Sequence, residues 1–231
     1  MDNKINILGV ELDRLTAKAA MKQMMQYMEG ESVSTVEMVT LEMLMQGQDN
    51  AEWKSMMEEM DLLLPSDKTI LESVGIEEGN DIRDLENNIF LRLFFRYLER
   101  NRKSVFLLAE KEEDISRLKE KVFSYRKGIS IAGEAVIVSD SGKEDSVINA
   151  INGVEPDCIL SVLPCPWQET FIQESRPLLN ARVWFGCGPL LGQKEMQEKA
   201  RGRLKYFFLK KLFRYQVERQ QKDEPKMSKC L

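Results

Sequence analysis

The sequence of 231 residues contains no histidine. This absence excludes catalytic triads built on a Ser/His or Cys/His pair, and it removes a common ligand from most zinc sites. Cysteine is also scarce, and no two cysteines form a CxxC pair. The four are Cys158, Cys165, Cys187 and Cys230. Their spacing fits neither a structural zinc site nor a secreted disulfide scaffold, and it favours a reducing, cytoplasmic compartment.

Several sequence signatures are missing as well. No stretch approaches the roughly 18 apolar residues that a membrane span requires, and no signal peptide is recognisable at the N-terminus. A G-x-G-x-x-G segment, a Walker loop and an Asp-x-Asp pair are all absent. These absences argue against a dinucleotide site, a P-loop and a carboxylate-held metal, so we predict no cofactor and no metal.

Basic residues are concentrated in the C-terminal part of the chain. From Lys194 to Leu231 there are 12 Lys and Arg against 5 Asp and Glu, a net charge of +7, although the whole chain carries −5. An acidic body with a basic tail indicates an anionic partner for the tail. Because no helix-turn-helix, RNP or zinc-finger signature is present, we predict a membrane surface rather than nucleic acid.

The tail pattern predicts one basic, amphipathic helix from Glu195 to Gln220, with apolar residues at three- and four-residue steps. Such a helix either docks its aromatic residues on the body or lies in the lipid headgroup layer with its rings facing the membrane. The aromatic content exceeds what one docked face needs, which favours the membrane. The candidate membrane contacts are Lys205, Phe207, Phe208, Lys210, Lys211 and Arg214.

In the body of the chain, short apolar strands alternate with amphipathic helices. This order predicts an α/β fold with a mostly parallel sheet flanked by helices, similar to a Rossmann fold. We predict an α/β domain over residues 1–193 and a helical tail over 194–231. The predicted strands are Ile5–Val10, Thr35–Thr40, Leu62–Leu64, Val105–Leu108, Ile129–Val138, Cys158–Leu163 and Val183–Cys187.

Ligands of such folds bind beyond the carboxyl ends of the strands, so the loops there carry the candidate chemistry. Thr40 follows the second strand, and Ser66 and Asp67 follow the third. Gln168 and Glu169 come after the sixth strand, and a Gly-Cys-Gly segment ends the seventh. Each loop is open to two interpretations, as a turn with a helix cap or as part of a site.

These loops, taken in order, resemble the WecG/TagA/CpsF family of bacterial glycosyltransferases over nearly the whole chain. The most specific match is INGVEPDCILSVLPCPWQETFI, which is similar to the family pattern I-N…P-D-x-L-x-V-G-L-G-x-P-K-Q-E-x-W-I. Further matches in the same order are INILGVELDRLT, VEMVTLEMLM, MDLLLPSDKTILESVGI, VFLLAEKEEDISRLKEKV, WFGCGPLLG and LKKLFRYQVE.

The resemblance implies transfer of an N-acetylhexosamine, of the N-acetylmannosamine type, from a UDP-sugar to a polyprenyl-diphosphate-linked acceptor. The product would serve a cell-surface polysaccharide, and the tail would hold the enzyme at the inner face of the cytoplasmic membrane. A homo-oligomer is compatible with this arrangement. The resemblance implies these substrate-binding residues: Thr40, Arg83, Gln168, Glu169, Gly186 and Gly188.

The chain departs from the family at the expected reaction centre. The family's catalytic aspartate, the proposed base, falls on Ser66, whose hydroxyl cannot accept a proton at neutral pH, so Asp67 at the next position becomes the candidate base. Glu110 stands where the family has a glycine, and Pro164 replaces another. Two hypotheses follow: a divergent glycosyltransferase, or an inactive pseudoenzyme that acts as a binding or scaffolding partner in the same pathway.

Overall fold

A parallel sheet lies at the centre of the computed structural model, which describes residues 4–188, 190–191 and 200–223. The strands are β1 (Lys4–Ile7), β2 (Val10–Asp13), β3 (Ser34–Val39), β4 (Leu62–Pro65), β5 (Ser104–Ala109), β6 (Ser130–Val136), β7 (Cys158–Ser161) and β8 (Val183–Gly186). Six of them form the sheet in the order β4-β3-β8-β7-β5-β6, with every neighbouring pair parallel. The predicted α/β class is therefore confirmed.

Helices cover both faces of this sheet, which explains why its inner strands are almost continuously apolar. They are α1 (Ala17–Glu29), α2 (Leu41–Gly47), α3 (Ala51–Glu58), α4 (Lys68–Glu72), α5 (Asn80–Glu86), α6 (Ile89–Arg100), α7 (Glu112–Tyr125), α8 (Glu144–Val154), α9 (Trp167–Ser175) and α10 (Ala200–Asp223). One hydrophobic cluster joins α1, α6 and α7 to one face, and two further clusters occupy the other face.

The side chains of β3 alternate between the two faces of the sheet. Val36 and Met38 belong to the cluster with α1 and α6, whereas Val39 packs in the cluster of α2 and α3. Because side chains alternate along a strand, Glu37 points to the same face as Val39. Its partner in register on β8 is Gly186, the last residue of that strand.

The N-terminal strand differs from the prediction. The sequence suggests one strand over Ile5–Val10, but the structure has an antiparallel hairpin of β1 and β2. Leu8 and Gly9 form the turn, both with positive φ, at 53° and 85°. Alternating apolar residues continue on both sides of this turn, so the pattern alone reads as one strand.

Helix α10 packs on the body along one side. Phe213 and Val217 are fully buried in the cluster that contains Trp53 and the hairpin residue Leu12. Gln220 extends this contact, since its Oε1 accepts a 2.8 Å hydrogen bond from the backbone N–H of Leu8. The predicted tail helix is present over Ala200–Asp223, and its predicted start at residues 195–199 lies outside the described residues.

Candidate functional site

A cavity of about 360 Å³ lies at the carboxyl ends of β3 and β7. Its walls come from the loop and helix after β3, the loop after β7, and one side of α10. It is lined by Glu37, Thr40, Leu41, Glu42, Met43, Gln46, Leu163, Pro164, Cys165, Gln168, Gly188, Tyr206 and Leu209. We call it the strand-end cavity. Its location is the one where α/β folds bind ligands.

The strand-end cavity collects three of the predicted substrate-binding residues. Thr40 also caps α2, because its Oγ1 accepts a 3.0 Å hydrogen bond from the backbone N–H of Met43. Gln168 lies in the first turn of α9 with 3% of its surface exposed, and Gly188 follows β8. Thr40 therefore caps a helix and also lines the cavity.

Glu37 forms part of the cavity floor and is almost completely buried, with 1% of its surface exposed. Its Oε2 accepts a 2.8 Å hydrogen bond from Nε2 of Gln168. A Cβ atom added to Gly186 would lie 1.6 Å from the same Oε2. The glycine at the end of β8 therefore provides the space that the Glu37 carboxylate occupies.

Glu169 is a second buried carboxylate beside Glu37. Neither of its oxygens accepts a well-formed hydrogen bond from any described residue, although Trp53 and Cys165 lie beside it. Burial raises the pKa of Glu169, and these two neighbours offset only part of that effect. Burial, followed by repulsion from Glu169, raises the pKa of Glu37 well above its usual value, while the Gln168 hydrogen bond opposes the shift.

Glutamine at position 37 should stabilise the protein above neutral pH. Native Glu37 keeps its proton over a pH range in which the unfolded carboxyl, with its usual pKa of 4.5, has lost it. The stability that comes from this raised pKa is fully present below the pKa of the unfolded carboxyl, and it is lost as the pH rises through the pKa of the native one. We expect Glu37→Gln to raise the free energy of unfolding by about 1–3 kcal/mol at about pH 8 and to change it little at about pH 4.

Urea unfolding of both proteins at the two pH values measures this difference. The matched control is Glu174→Gln on α9, because Glu174 is exposed. The same pH dependence in the wild type and Glu37→Gln would contradict the prediction.

Asp67, the candidate base, contacts α10. It caps α4 by accepting a 2.6 Å hydrogen bond from the backbone N–H of Thr69, and the Tyr206 hydroxyl donates to its other oxygen. Lys210 Nζ lies 3.7 Å from Asp67 Oδ1. Burial opposes ionisation, but the hydrogen bonds from Thr69 and Tyr206 outweigh it and lower the pKa of Asp67. A carboxylate in this state is a weak proton acceptor.

Ser66 lies in a separate recess of about 40 Å³, which also contains Met38. Ligand sites for small molecules measure at least about 300 Å³, so this recess is too small for a sugar. An ion pair between Arg14 Nε and Asp81 Oδ2, at 2.6 Å, forms part of its wall. The structure therefore separates Ser66 from the cavity that holds Thr40 and Gln168. Arg83, on α5, is exposed and lines neither space.

The candidate membrane residues divide between two sides of α10. Phe207 and Phe208 are 61% and 60% exposed, and Lys211 is exposed beside them. Lys210 contacts Asp67, whereas the exposed Arg214 forms a 2.8 Å ion pair with Glu72. The side chain of Lys205 lies outside the described residues. Phe213 is docked on the body, whereas Phe207 and Phe208 are not.

Sequence reasoning missed Glu37 and Tyr206. The available signal for Glu37 is a single charged residue between the apolar residues Val36 and Met38 of a predicted strand. A buried carboxylate needs hydrogen-bond partners or a proton, so a glutamate at this position indicates a functional site. Tyr206 is one of several aromatic residues in the tail, and no local pattern distinguishes it from its exposed neighbours.

One family of known proteins matches most of the chain. The sequence model described as "Glycosyl transferase WecG/TagA/CpsF family" matches residues 5–193, which is more than half of the chain. A search among curated proteins finds no match. In the described part of the chain, no helix is long and apolar enough to cross a membrane, and no group of acidic or cysteine side chains is arranged to hold a metal ion.

Proposed function

Because the chain belongs to the WecG/TagA/CpsF family of glycosyltransferases, we propose that it transfers an N-acetylhexosamine from a UDP-sugar to a polyprenyl-diphosphate-linked acceptor. Family membership itself gives a glycosyltransferase-type role in cell-surface polysaccharide synthesis. The proposal adds the donor, the N-acetylmannosamine type of sugar and the lipid-linked acceptor.

The strand-end cavity is the observation that carries this proposal. It brings Thr40, Gln168 and Gly188 together from the segments that follow three different strands, at the sheet edge where α/β folds bind ligands. Its volume of about 360 Å³ falls within the range of small-molecule sites. Tyr206 and Leu209 of α10 complete one wall, so the tail helix belongs to the site as well as to the surface.

We further propose that α10 places this cavity beside the inner face of the cytoplasmic membrane. Phe207, Phe208 and Tyr215 project away from the body with about three fifths of their surfaces exposed. Rings of this kind, with Lys211 among them, suit a headgroup layer that contains anionic lipid. The helix that would meet the membrane also lines the cavity, which supports an acceptor delivered on a lipid.

Calorimetry with UDP and UDP-N-acetylmannosamine tests the donor site. We expect micromolar binding of the UDP-sugar, followed by release of UDP when vesicles carry a polyprenyl-diphosphate-linked sugar. Absence of binding at millimolar nucleotide would overturn the proposal.

A non-catalytic binding role in the same pathway is the second candidate, and a specific observation favours it. The described residues that line the strand-end cavity include the carboxylates Glu37 and Glu42 but no Lys or Arg to meet a diphosphate. Ser66 adds no base, and it lies in the small recess. Such a protein would bind the membrane through α10 without releasing UDP.

The role of Asp67 is tested separately with Asp67→Asn. Because both of its oxygens are engaged, by Thr69 and Tyr206, we expect turnover to fall less than about tenfold, mainly through a looser α10. Loss of a general base costs about 100- to 10,000-fold. A loss of that size in initial rates of UDP release, with nucleotide binding unchanged, would assign the base to Asp67.

A further inference from the structure

We propose that Glu37 accepts the proton of the acceptor hydroxyl during transfer, in the role that a carboxylate at Ser66 would have had. This proposal rests on the transferase function above, because it names the proton acceptor of that reaction. It concerns a residue in the middle of a strand, where no loop motif points to it.

Two neighbouring residues fix the position of the Glu37 side chain. The residue lines the strand-end cavity although 1% of its surface is exposed, so its carboxylate is held at the floor. Gln168 holds Oε2 at 2.8 Å, and the missing side chain of Gly186 leaves the space that this oxygen fills. A catalytic carboxylate needs this kind of fixed orientation.

Gln168 provides an independent sign of a ligand. Its Nε2 is committed to Glu37, while its Oε1 is buried and has no hydrogen-bond partner among the described residues. Buried polar atoms are seldom left unpaired in proteins. Because Gln168 lines the cavity, this oxygen is suited to an N–H or O–H donor on the ligand, next to Glu37.

The proposed step is a displacement at the anomeric carbon of the donor sugar. The acceptor hydroxyl oxygen attacks this carbon, and a new carbon–oxygen bond forms. The bond between the same carbon and the β-phosphate oxygen breaks, and its electron pair leaves with UDP. The hydroxyl proton passes to the Glu37 carboxylate, which later releases it to water.

Among the described residues, the titratable groups around Glu37 are acidic or neutral. They are Glu169 on α9, Cys165 before that helix, Cys187 after β8, Glu42 on α2 and Tyr206 on α10. Burial and then Glu169 raise the pKa of Glu37 well above its usual value, and a carboxylate with a raised pKa is a stronger proton acceptor. The repulsion from Glu169 therefore makes Glu37 a stronger base for this reaction.

The test compares Glu37→Gln with wild type in the full chain, using UDP-N-acetylmannosamine and acceptor-bearing vesicles. We expect UDP release to fall about 100- to 10,000-fold, with UDP-sugar binding maintained and stability equal to or above that of wild type. Glu174→Gln, on the exposed side of α9, is the matched control and should keep the wild-type rate. Glu169→Gln should move the acid limb of the rate profile to lower pH, an effect that a merely structural role would not produce.

The outcomes separate this proposal from the function on which it rests. If wild type releases UDP and Glu37→Gln does so within tenfold, Glu37 is not the base and the transferase function stands. The same conclusion follows if Asp67→Asn alone shows the large loss. If wild type binds the UDP-sugar but never releases UDP, the transferase function and the role of Glu37 are both overturned.

Discussion

Alanine at position 186 is expected to destabilise the protein by about 2–4 kcal/mol, although it adds a single methyl group. The added Cβ would lie 1.6 Å from Glu37 Oε2 and 2.3 Å from its Cδ, far inside contact distance. Neither side can move easily, because Gly186 lies in the middle of the sheet between β3 and β7 and Glu37 is held by Gln168. Urea unfolding at neutral pH measures the loss.

A second substitution identifies the cause of that loss. Glu37→Ala removes the carboxylate that the new methyl group meets, so it should recover a large part of the stability in the Gly186→Ala background. The control is Gly153→Ala on α8, where nothing lies within 4 Å of an added Cβ. A glycine replaced inside an exposed helix should gain about 0.5–1 kcal/mol. If Glu37→Ala gave no recovery, the steric explanation would be wrong.

The sequence predicts the fold well because the sheet is buried on both faces. Its apolar strands and amphipathic helices are local patterns, and they recover the strands from β3 to β8 with bounds that differ by a few residues. The hairpin is missed because a turn at Leu8 and Gly9 interrupts an alternation that looks continuous. Helices α4 and α5 are short, and most of their residues are polar, so their periodicity is weak.

The site was predictable only in part. Thr40, Gln168 and Gly188 follow strands, and the rule that parallel strands end at one edge brings them together. Ser66 and Asp67 are neighbours in sequence, but one lies in the small recess and the other contacts α10. Their separation depends on how the tail packs, and no local sequence pattern predicts a contact between residues 67 and 206.

The buried acids connect stability to the proposed activity. Glu37 and Glu169 cost stability near neutral pH, because burial and their mutual repulsion both oppose ionisation. If this pair were purely structural, Glu37→Gln would raise the stability of the protein without any loss, since glutamine keeps the shape of the side chain and removes its charge. The same substitution is expected to stabilise the protein and to slow transfer about 100- to 10,000-fold, and this opposition is the signature of a functional carboxylate.

Replacing Phe207 and Phe208 by serine is expected to weaken vesicle binding about 30-fold. Each ring is about three fifths exposed, so burial in the headgroup layer would contribute about 1 kcal/mol per ring. The fold should survive, because α10 is docked through Phe213 and Val217 on its other side. Sedimentation with vesicles of phosphatidylcholine and phosphatidylglycerol measures the change.

The point variants are more informative than removal of the helix. A chain that ends before α10 would uncover the cluster around Trp53, and the exposed apolar surface would itself bind vesicles or self-associate. The matched control is Phe123→Ser with Leu178→Ser, which removes two exposed apolar side chains from the body. Because neither residue belongs to α10, the control should sediment as wild type does. Equal sedimentation of the Phe207 and Phe208 variant would show that the aromatic side of α10 does not meet the membrane.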